Sequence, residues 1–185
     1  MEGGMNAFDY LFTFYGLLLG IAVANVAIGF ADMWRDCEKI EVGGCPPLLC
    51  GIVLLGGMNV WLTMWHLRAY VGVNAWQMVA AACVALPYVF ISRAMFPGQE
   101  RQKERSLEDH YLKHRMLILT ILLIPPFASA VSKVFLDKTQ DYGLPEAWLG
   151  ARLAMPLLLM PFKTRNEQRV GLGAFLALEF AGLFR

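Results

Sequence analysis

Hydrophobic residues form several uncharged runs that are long enough to cross a membrane. The first run, residues 10–31, lies between two aspartates. As a helix rising about 1.5 Å per residue, it would exceed a hydrocarbon core of about 30 Å. A second run, residues 42–92, contains a single charge at Arg68, and a third covers residues 116–132. A soluble domain of this length does not need so many charge-free helices, so the pattern predicts an integral membrane protein.

The runs predict an all-α, polytopic transmembrane bundle of about six spans, forming a single domain over residues 1–185. The predicted spans are residues 10–31, 47–67, 74–96, 113–135, 146–162 and 168–184. Pro87 and the adjacent Pro125 and Pro126 fall inside spans. Proline removes a backbone donor and bends a helix, so we expect the bundle to be kinked at these positions. Because no Lys or Arg precedes residue 10, the first run is not expected to be a signal peptide.

The distribution of basic residues predicts which side of the membrane each connection faces. Most Lys and Arg residues follow the first, third and fifth spans, and connections rich in these residues stay in the cytoplasm. Residues 32–46, 97–112 and 163–167 are therefore expected in the cytoplasm, with both termini outside. Trp34 and Trp76 lie near the ends of spans, where aromatic side chains favour the interface between lipid and water.

The composition agrees with a membrane location and narrows the choice of function. Hydrophobic residues make up 57% of the chain and charged residues 17%, with a net charge of +1. The lipid bilayer is therefore the expected environment, and nucleic acid is not an expected partner because no basic face stands out. The chain contains no GxSxG motif, phosphate-binding glycine loop or catalytic pair of carboxylates. We do not expect an enzyme, and the sequence identifies no cofactor.

Two charges, Arg152 and Glu179, lie inside the last two predicted spans. Arg152 lies six residues after Glu146, where the fifth span begins. Glu179 lies six residues before Arg185, where the sixth span ends on the same side. Both should therefore lie roughly 9 Å below the outer surface. Charges at this depth are costly and usually find partners, so we predict an intramembrane pair. It could fasten the two helices or belong to an ion or proton path, and the two side chains could also snorkel independently.

Polar and small residues within spans indicate contacts between helices. Asn25 and Asn59 are each expected to bond a neighbouring helix, and either could instead contact a substrate. Gly16 and Gly20 form a GxxxG pattern that Ala24 extends by one turn. Small residues at this spacing let backbones approach closely, either within the protein or between two copies.

Residues near the fourth span suggest a cap and a weak metal site. Ser106 and Asp109 resemble a capping box, so this helix is expected to begin in water. His110 and His114 share one helical face at metal-compatible spacing, with Glu108 or Asp109 as further ligands, although the sequence lacks HExxH. A solvated face is the main alternative. The cysteines have no CxxC pair, and those near residues 37–50 are expected to be reduced in the cytoplasm.

The order of several landmarks resembles a family of short, multi-span bacterial membrane proteins of uncharacterised function. The landmarks are Phe8-Asp9-Tyr10-Leu11, Gly16 to Gly20, Gly29-Phe30, Trp65 and His110-Tyr111-Leu112-Lys113-His114-Arg115. They cover most of the chain. The resemblance implies a bacterial inner membrane, and it brings no function or catalytic residue with it.

Two functions fit these observations. The first is a small, oligomeric ion or solute pathway, a channel or transporter, supported by proline-interrupted helices and an intramembrane charge pair. The alternative is a non-catalytic subunit of a larger membrane complex, which would interact through its helix faces and through residues 99–115. A wetted path past Asn25, Asn59 and Glu179 would favour transport, whereas a dry core with an exposed apolar face would favour a subunit.

Overall fold

The computed structural model describes residues 7–35, 41–69, 75–97, 106–135 and 146–184, and within these ranges the protein is all-helical. The helices are α1 (Ala7–Arg35), α2 (Cys45–His66), α3 (Ala75–Ala94), α4 (Leu107–Phe135), α5 (Glu146–Leu159) and α6 (Arg165–Gly182). A short 3₁₀ turn, Leu67–Ala69, continues α2. The predicted all-α class is confirmed.

Four of the helices, α1 to α4, are long and apolar enough to cross a membrane. Their exposed side chains are largely hydrophobic, as a lipid-facing surface requires, since lipid tails solvate such groups. Helix α5 has 14 residues and α6 begins with a charged turn, so neither meets the same length and composition. Length and composition therefore establish a membrane protein with four candidate spans among the described residues.

Successive helices run in opposite directions, so that α2, α4 and α6 begin at one end of the bundle. At this end, His110 Nε2 of α4 lies 3.2 Å from the carbonyl of Ala94 in α3. At the opposite end, Lys133 of α4 pairs with Glu146 of α5 at 3.5 Å. We call the end where α2, α4 and α6 begin the basic end, because most of the Lys and Arg residues that the structure describes lie near it.

A glycine turn and two ion pairs join helix starts at the basic end. Gly43 has φ of +69°, and a Cβ there would lie 2.7 Å from the Cβ of Glu108, so only glycine fits this turn. Glu108 accepts two hydrogen bonds from Arg169, each of 2.7 Å, and Asp109 pairs with Arg165 at 2.7 Å. Glu108 is almost completely buried. The starts of α2, α4 and α6 are thus packed together.

Side-chain hydrogen bonds cap the starts of α4 and α6 and the end of α5. The Asp109 backbone N–H donates to Ser106 Oγ (3.4 Å), and Thr164 and Glu167 form a capping box at the start of α6. Hydrogen bonds from Thr164 lower the pKa of the exposed Glu167 carboxyl. Gln168 Nε2 donates to the carbonyls of Leu159 and Phe162, which closes the turn between α5 and α6.

Prolines occupy two kinds of position in the helices. Pro46 and Pro47 stand in the first turn of α2, where a missing N–H costs little. Others lie inside helices that continue past them: Pro87 in α3, Pro125 and Pro126 in α4, and Pro156 in α5. Bending at these prolines stays a prediction.

A buried ion pair beneath a cavity

Arg152 of α5 and Glu179 of α6 are in direct contact inside the bundle. The Arg152 Nε donates to Glu179 Oε1 over 2.7 Å, and both side chains are almost completely buried. The structure therefore brings together the two charges that the sequence places at equal depth. Removing one partner of such a pair leaves a buried charge without compensation, so loss of either charge is expected to destabilise the contact between α5 and α6.

Two aromatic side chains complete the surroundings of the guanidinium. Nη2 of Arg152 donates to the hydroxyl of Tyr88 in α3 (2.9 Å). The guanidinium carbon also lies 4.7 Å from the ring centroid of Trp148, one turn earlier in α5. This geometry permits a cation–π interaction, which strengthens when the cation is shielded from water. Arg152 therefore links three helices at one point.

Asn59 of α2 adds a fourth helix to this network. Its Nδ2 donates to Glu179 Oε2 (2.8 Å) and to the Glu179 carbonyl (2.7 Å). The opposite amide orientation would turn an oxygen toward two acceptors, so this assignment follows from the network. The Oδ1 is buried and has no hydrogen-bond partner among the described residues. Each carboxylate oxygen of Glu179 thus accepts a hydrogen bond from a different helix.

A cavity of about 790 Å³ lies next to Arg152 at the end of the bundle opposite the basic end. Its walls come from the last turns of α2, the first turns of α3 and α5, the end of α4, and Tyr15 of α1. Most of the lining is apolar, and the exposed side chains of Trp76, Val79 and Val131 show that the cavity opens to the surface of the described chain. A cavity of this size suits a small organic molecule, since ligand pockets commonly measure about 300–1,000 Å³.

A packed core fills the bundle between the ion pair and the basic end. Leu49 and Ile52 of α2 and Leu172 and Phe175 of α6 lie on this side, and each is at most 2% exposed. These residues belong to one continuous hydrophobic cluster with residues of the other helices. In the described part of the chain, the cavity therefore does not continue past the ion pair toward the basic end.

The other polar and small residues singled out by sequence occupy separate places. Asn25 donates to Ser92 Oγ of α3 (3.2 Å), closer to the basic end than the ion pair. Gly16 packs against α2, since a Cβ there would lie 2.7 Å from the Trp61 ring. Gly20 and Ala24 are exposed, and a Cβ at Gly20 would meet nothing within 4 Å. Only the first residue of this pattern lies in a close contact between described helices.

The two histidines contact each other and nearby backbone. Their ring centroids lie 4.4 Å apart, and His114 Nδ1 lies 3.0 Å from the carbonyl of His110. Glu108 and Asp109, the further ligands suggested by sequence, instead pair with arginines of α6. No group of three or more His, Cys, Asp or Glu residues within the described ranges is arranged to hold a metal ion.

The cysteines divide between core and surface. Cys45 and Cys50 are buried free thiols, and Cys83 is an exposed free thiol. The Cys50 Sγ lies 3.8 Å from the Met95 sulfur, so this thiol takes part in core packing. Cys37 lies outside the described residues.

Sequence reasoning missed Tyr88, Trp148 and the cavity itself. Tyr88 lies in an apolar span with nothing in its neighbourhood to mark it as a partner of Arg152. Trp148 stands near the start of α5, a position that is also typical of tryptophans at the interface between lipid and water. The spacing of Trp148 and Arg152, four residues apart on one helix, was the one available signal that they share a face.

Comparison with known proteins adds no relative to this description. No family, curated protein or solved structure matches the chain. The function must therefore be inferred from the chain's own residues.

Proposed function

We propose that this protein is a small-molecule pathway of the membrane that works as a carrier with a one-sided binding cavity. The observation that carries this proposal is the cavity of about 790 Å³ beside the buried Arg152. An open channel would need a continuous polar path, whereas buried leucine, isoleucine and phenylalanine side chains lie between Arg152 and the basic end. Among the described residues, the cavity opens only at the end opposite the basic end, and ion pairs hold the helices together at the basic end. Such one-sided access is typical of a protein that binds its solute before moving it.

Contacts at both ends of the bundle support a six-span arrangement. The start of α5 lies beside the end of α4 through Glu146 and Lys133, and the start of α6 lies beside the start of α4 through Arg169 and Glu108. Because α4 is long enough to cross a membrane, α5 and α6 run between the same two ends. Helix α5 is short, about 21 Å at 1.5 Å per residue, and residues 160–162 extend the chain further toward the basic end. We therefore propose that both helices cross with α1 to α4.

A cysteine at residue 163 tests this arrangement and its orientation. With six spans and a cytoplasmic basic end, Lys163→Cys should react with a membrane-impermeant maleimide only after the membrane is opened. With four spans, the same residue would lie outside, on the side of the N-terminus, and would react in intact cells. The background carries Cys37→Ser and Cys83→Ser. A cysteine placed before residue 7 is the matched control and should react without permeabilisation.

Filling the cavity tests whether it binds a ligand. The probe is a photoactivatable long-chain alcohol, applied to purified protein in lipid nanodiscs. It should label residues of α3 and α4 at the cavity saturably, and unlabelled alcohol should compete. Ala80 lines the cavity, and Ala80→Phe adds a ring that obstructs part of the wall a bound chain would contact. We expect the saturable labelling to fall by about tenfold, which corresponds to about 1.4 kcal/mol of lost binding free energy. Ala174→Phe, at an exposed site on α6, is the control and should label normally. Equal labelling of both variants would contradict the proposal.

A second candidate is a non-catalytic subunit of a larger membrane complex. Gly20 and Ala24 leave a shallow, exposed strip on α1, which suits a close approach by another helix. Together with the packed core below the ion pair, this strip meets the condition given above for a subunit, and the cavity beside Arg152 is the observation that favours the carrier. Native mass spectrometry from a mild detergent separates these possibilities. A lone chain or defined homo-oligomer supports the pathway, whereas co-purified unrelated chains support the subunit. Location in a bacterial inner membrane rests on the family resemblance alone.

A further inference from the structure

The lining of the cavity contains one charged residue, Arg152. The other lining side chains are apolar or neutral, and no carboxylate lies among those that line the described cavity. Glu179 is completely buried, and its two oxygens accept hydrogen bonds from Arg152 and Asn59. The cavity is therefore lined by the hydrogen-bond donor of the ion pair, Arg152, while the acceptor, Glu179, is buried away from it.

The guanidinium retains donors for a ligand. Arginine carries five N–H groups in a planar fork. The bonds to Glu179 and Tyr88 use one on Nε and one on Nη2. A group entering the cavity beside Arg152 thus meets further N–H donors with a positive charge behind them, which favours an oxygen acceptor and favours an anionic one most.

The rest of the cavity has the opposite character. Val60, Met64, Val84 and Leu149 form apolar walls, and the exposed Val79 and Val131 continue them to the surface. Such a surface lowers its free energy by burying a hydrocarbon chain. One end of the cavity therefore suits a polar headgroup, and the walls suit a chain.

From this division we infer that the ligand is an amphiphile with a carboxylate or phosphate headgroup, seated with its headgroup at Arg152 and its chain along the apolar walls. The inference rests on the proposed function, because it assigns a substrate class to the same cavity. The ion pair is neutral overall, so selection comes from the closeness and geometry of the guanidinium N–H groups and not from a net positive site.

Competition between matched amphiphiles tests the headgroup. The photoactivatable alcohol labels the wild-type protein in phosphatidylcholine nanodiscs, against unlabelled dodecanoate, dodecyl phosphate or dodecanol, each at a measured membrane concentration. We expect at least one anion to compete about tenfold better than dodecanol, the difference a charge-assisted hydrogen bond typically makes. A preference for dodecanoate or for dodecyl phosphate identifies the headgroup.

Neutralising the pair tests the role of Arg152. In Arg152→Gln/Glu179→Gln, both charges are removed together, and the ratio between anion and alcohol should fall to about one. The control, Arg165→Gln/Asp109→Asn, removes an exposed pair at the basic end and should keep the wild-type ratio. If the neutralised variant does not fold, wild-type protein decides through a probe whose photoactivatable group adjoins its carboxylate. This probe should label Trp148 or Leu149, and labelling only at Trp76 or Val131 would overturn the inference.

The outcomes separate the inference from the proposed function. Saturable labelling with no preference for an anion would overturn the headgroup assignment and leave a binding cavity. A preference that persists in the neutralised variant would also overturn it. If no competitor reduces labelling of the wild-type protein, the cavity does not bind, and the proposed function fails together with the inference.

Discussion

Replacing Glu179 by Gln is expected to lower the free energy of unfolding by about 3 kcal/mol or more, because it leaves Arg152 buried without its counter-ion. The substitution preserves the shape of the side chain, so the loss reports charge and hydrogen bonding and not a cavity. It also weakens the acceptor for Asn59 Nδ2. Arg152→Gln should cost a similar amount for the converse reason, since it leaves a buried carboxylate. Both values come from reversible unfolding in mixed micelles with increasing denaturing detergent.

The double variant Arg152→Gln/Glu179→Gln should recover much of this loss. Two neutral amides can bond each other, and a neutral pair avoids the cost of keeping charges from water. Arg165→Gln provides the matched control, because its pair with Asp109 is about half exposed and should change stability by less than about 1 kcal/mol. Losses that simply add in the double variant would contradict a coupled pair.

Removing Arg169 is expected to destabilise the protein more than removing its partner Glu108. The Glu108 side chain is 2% exposed and Arg169 is 42% exposed. Arg169→Gln leaves a carboxylate buried without its ion partner, whereas Glu108→Gln leaves an arginine that water can solvate. The loss from Arg169→Gln should be about twice that from Glu108→Gln in the same unfolding measurement.

Neighbouring residues supply the control for this asymmetry. Arg165 and Asp109 lie beside Arg169 and Glu108, but both of their side chains are about half exposed to solvent. Arg165→Gln and Asp109→Asn should therefore have small and nearly equal effects. A larger loss from Glu108→Gln than from Arg169→Gln would mean that the carboxylate, once without its partner, finds water or another donor at the basic end.

The fold could be predicted from sequence to the extent that charge-free runs reveal membrane helices. These runs locate the centres of α1 to α4 because hydrocarbon tolerates so few charges. They underestimate the length of α1 and α4, since charged turns can extend beyond the lipid: α4 begins at Leu107, six residues before the predicted span at 113. The cap at Ser106 identifies this earlier start.

The contact between Arg152 and Glu179 follows from the same reasoning, because two charges at one depth in neighbouring helices stabilise each other. The other partners do not follow. Tyr88 and Asn59 reach the pair only through the way α2, α3, α5 and α6 pack, and packing is not encoded in the spacing of one helix. Glu108 and Arg169 are far apart in sequence, and the sequence of Glu108 beside two histidines suggested a metal ligand instead.

The cavity could not be predicted because it is a gap between helices and not a property of any one of them. Its lining residues are mostly Val, Ala, Leu and Met, which are also the residues of a filled membrane core. Only the three-dimensional arrangement distinguishes an apolar wall beside a ligand from an apolar wall beside another helix. Arg152 is the one member of the lining that the sequence marks as unusual.

In the six-span arrangement, the pairing of Arg152 with Glu179 also governs how the chain enters the membrane during synthesis. Helix α5 emerges first and brings a guanidinium whose counter-ion has not yet been made. An arginine at the bilayer centre costs about 2.5–3.5 kcal/mol, and Arg152, closer to the outer surface, would bear part of this cost. A helix of 14 residues has little hydrocarbon-compatible length to offset it. Helix α6 supplies the carboxylate. In this arrangement we expect the last two helices to insert as a hairpin, and α5 of a nascent chain that ends before α6 to lack a stable position in the membrane.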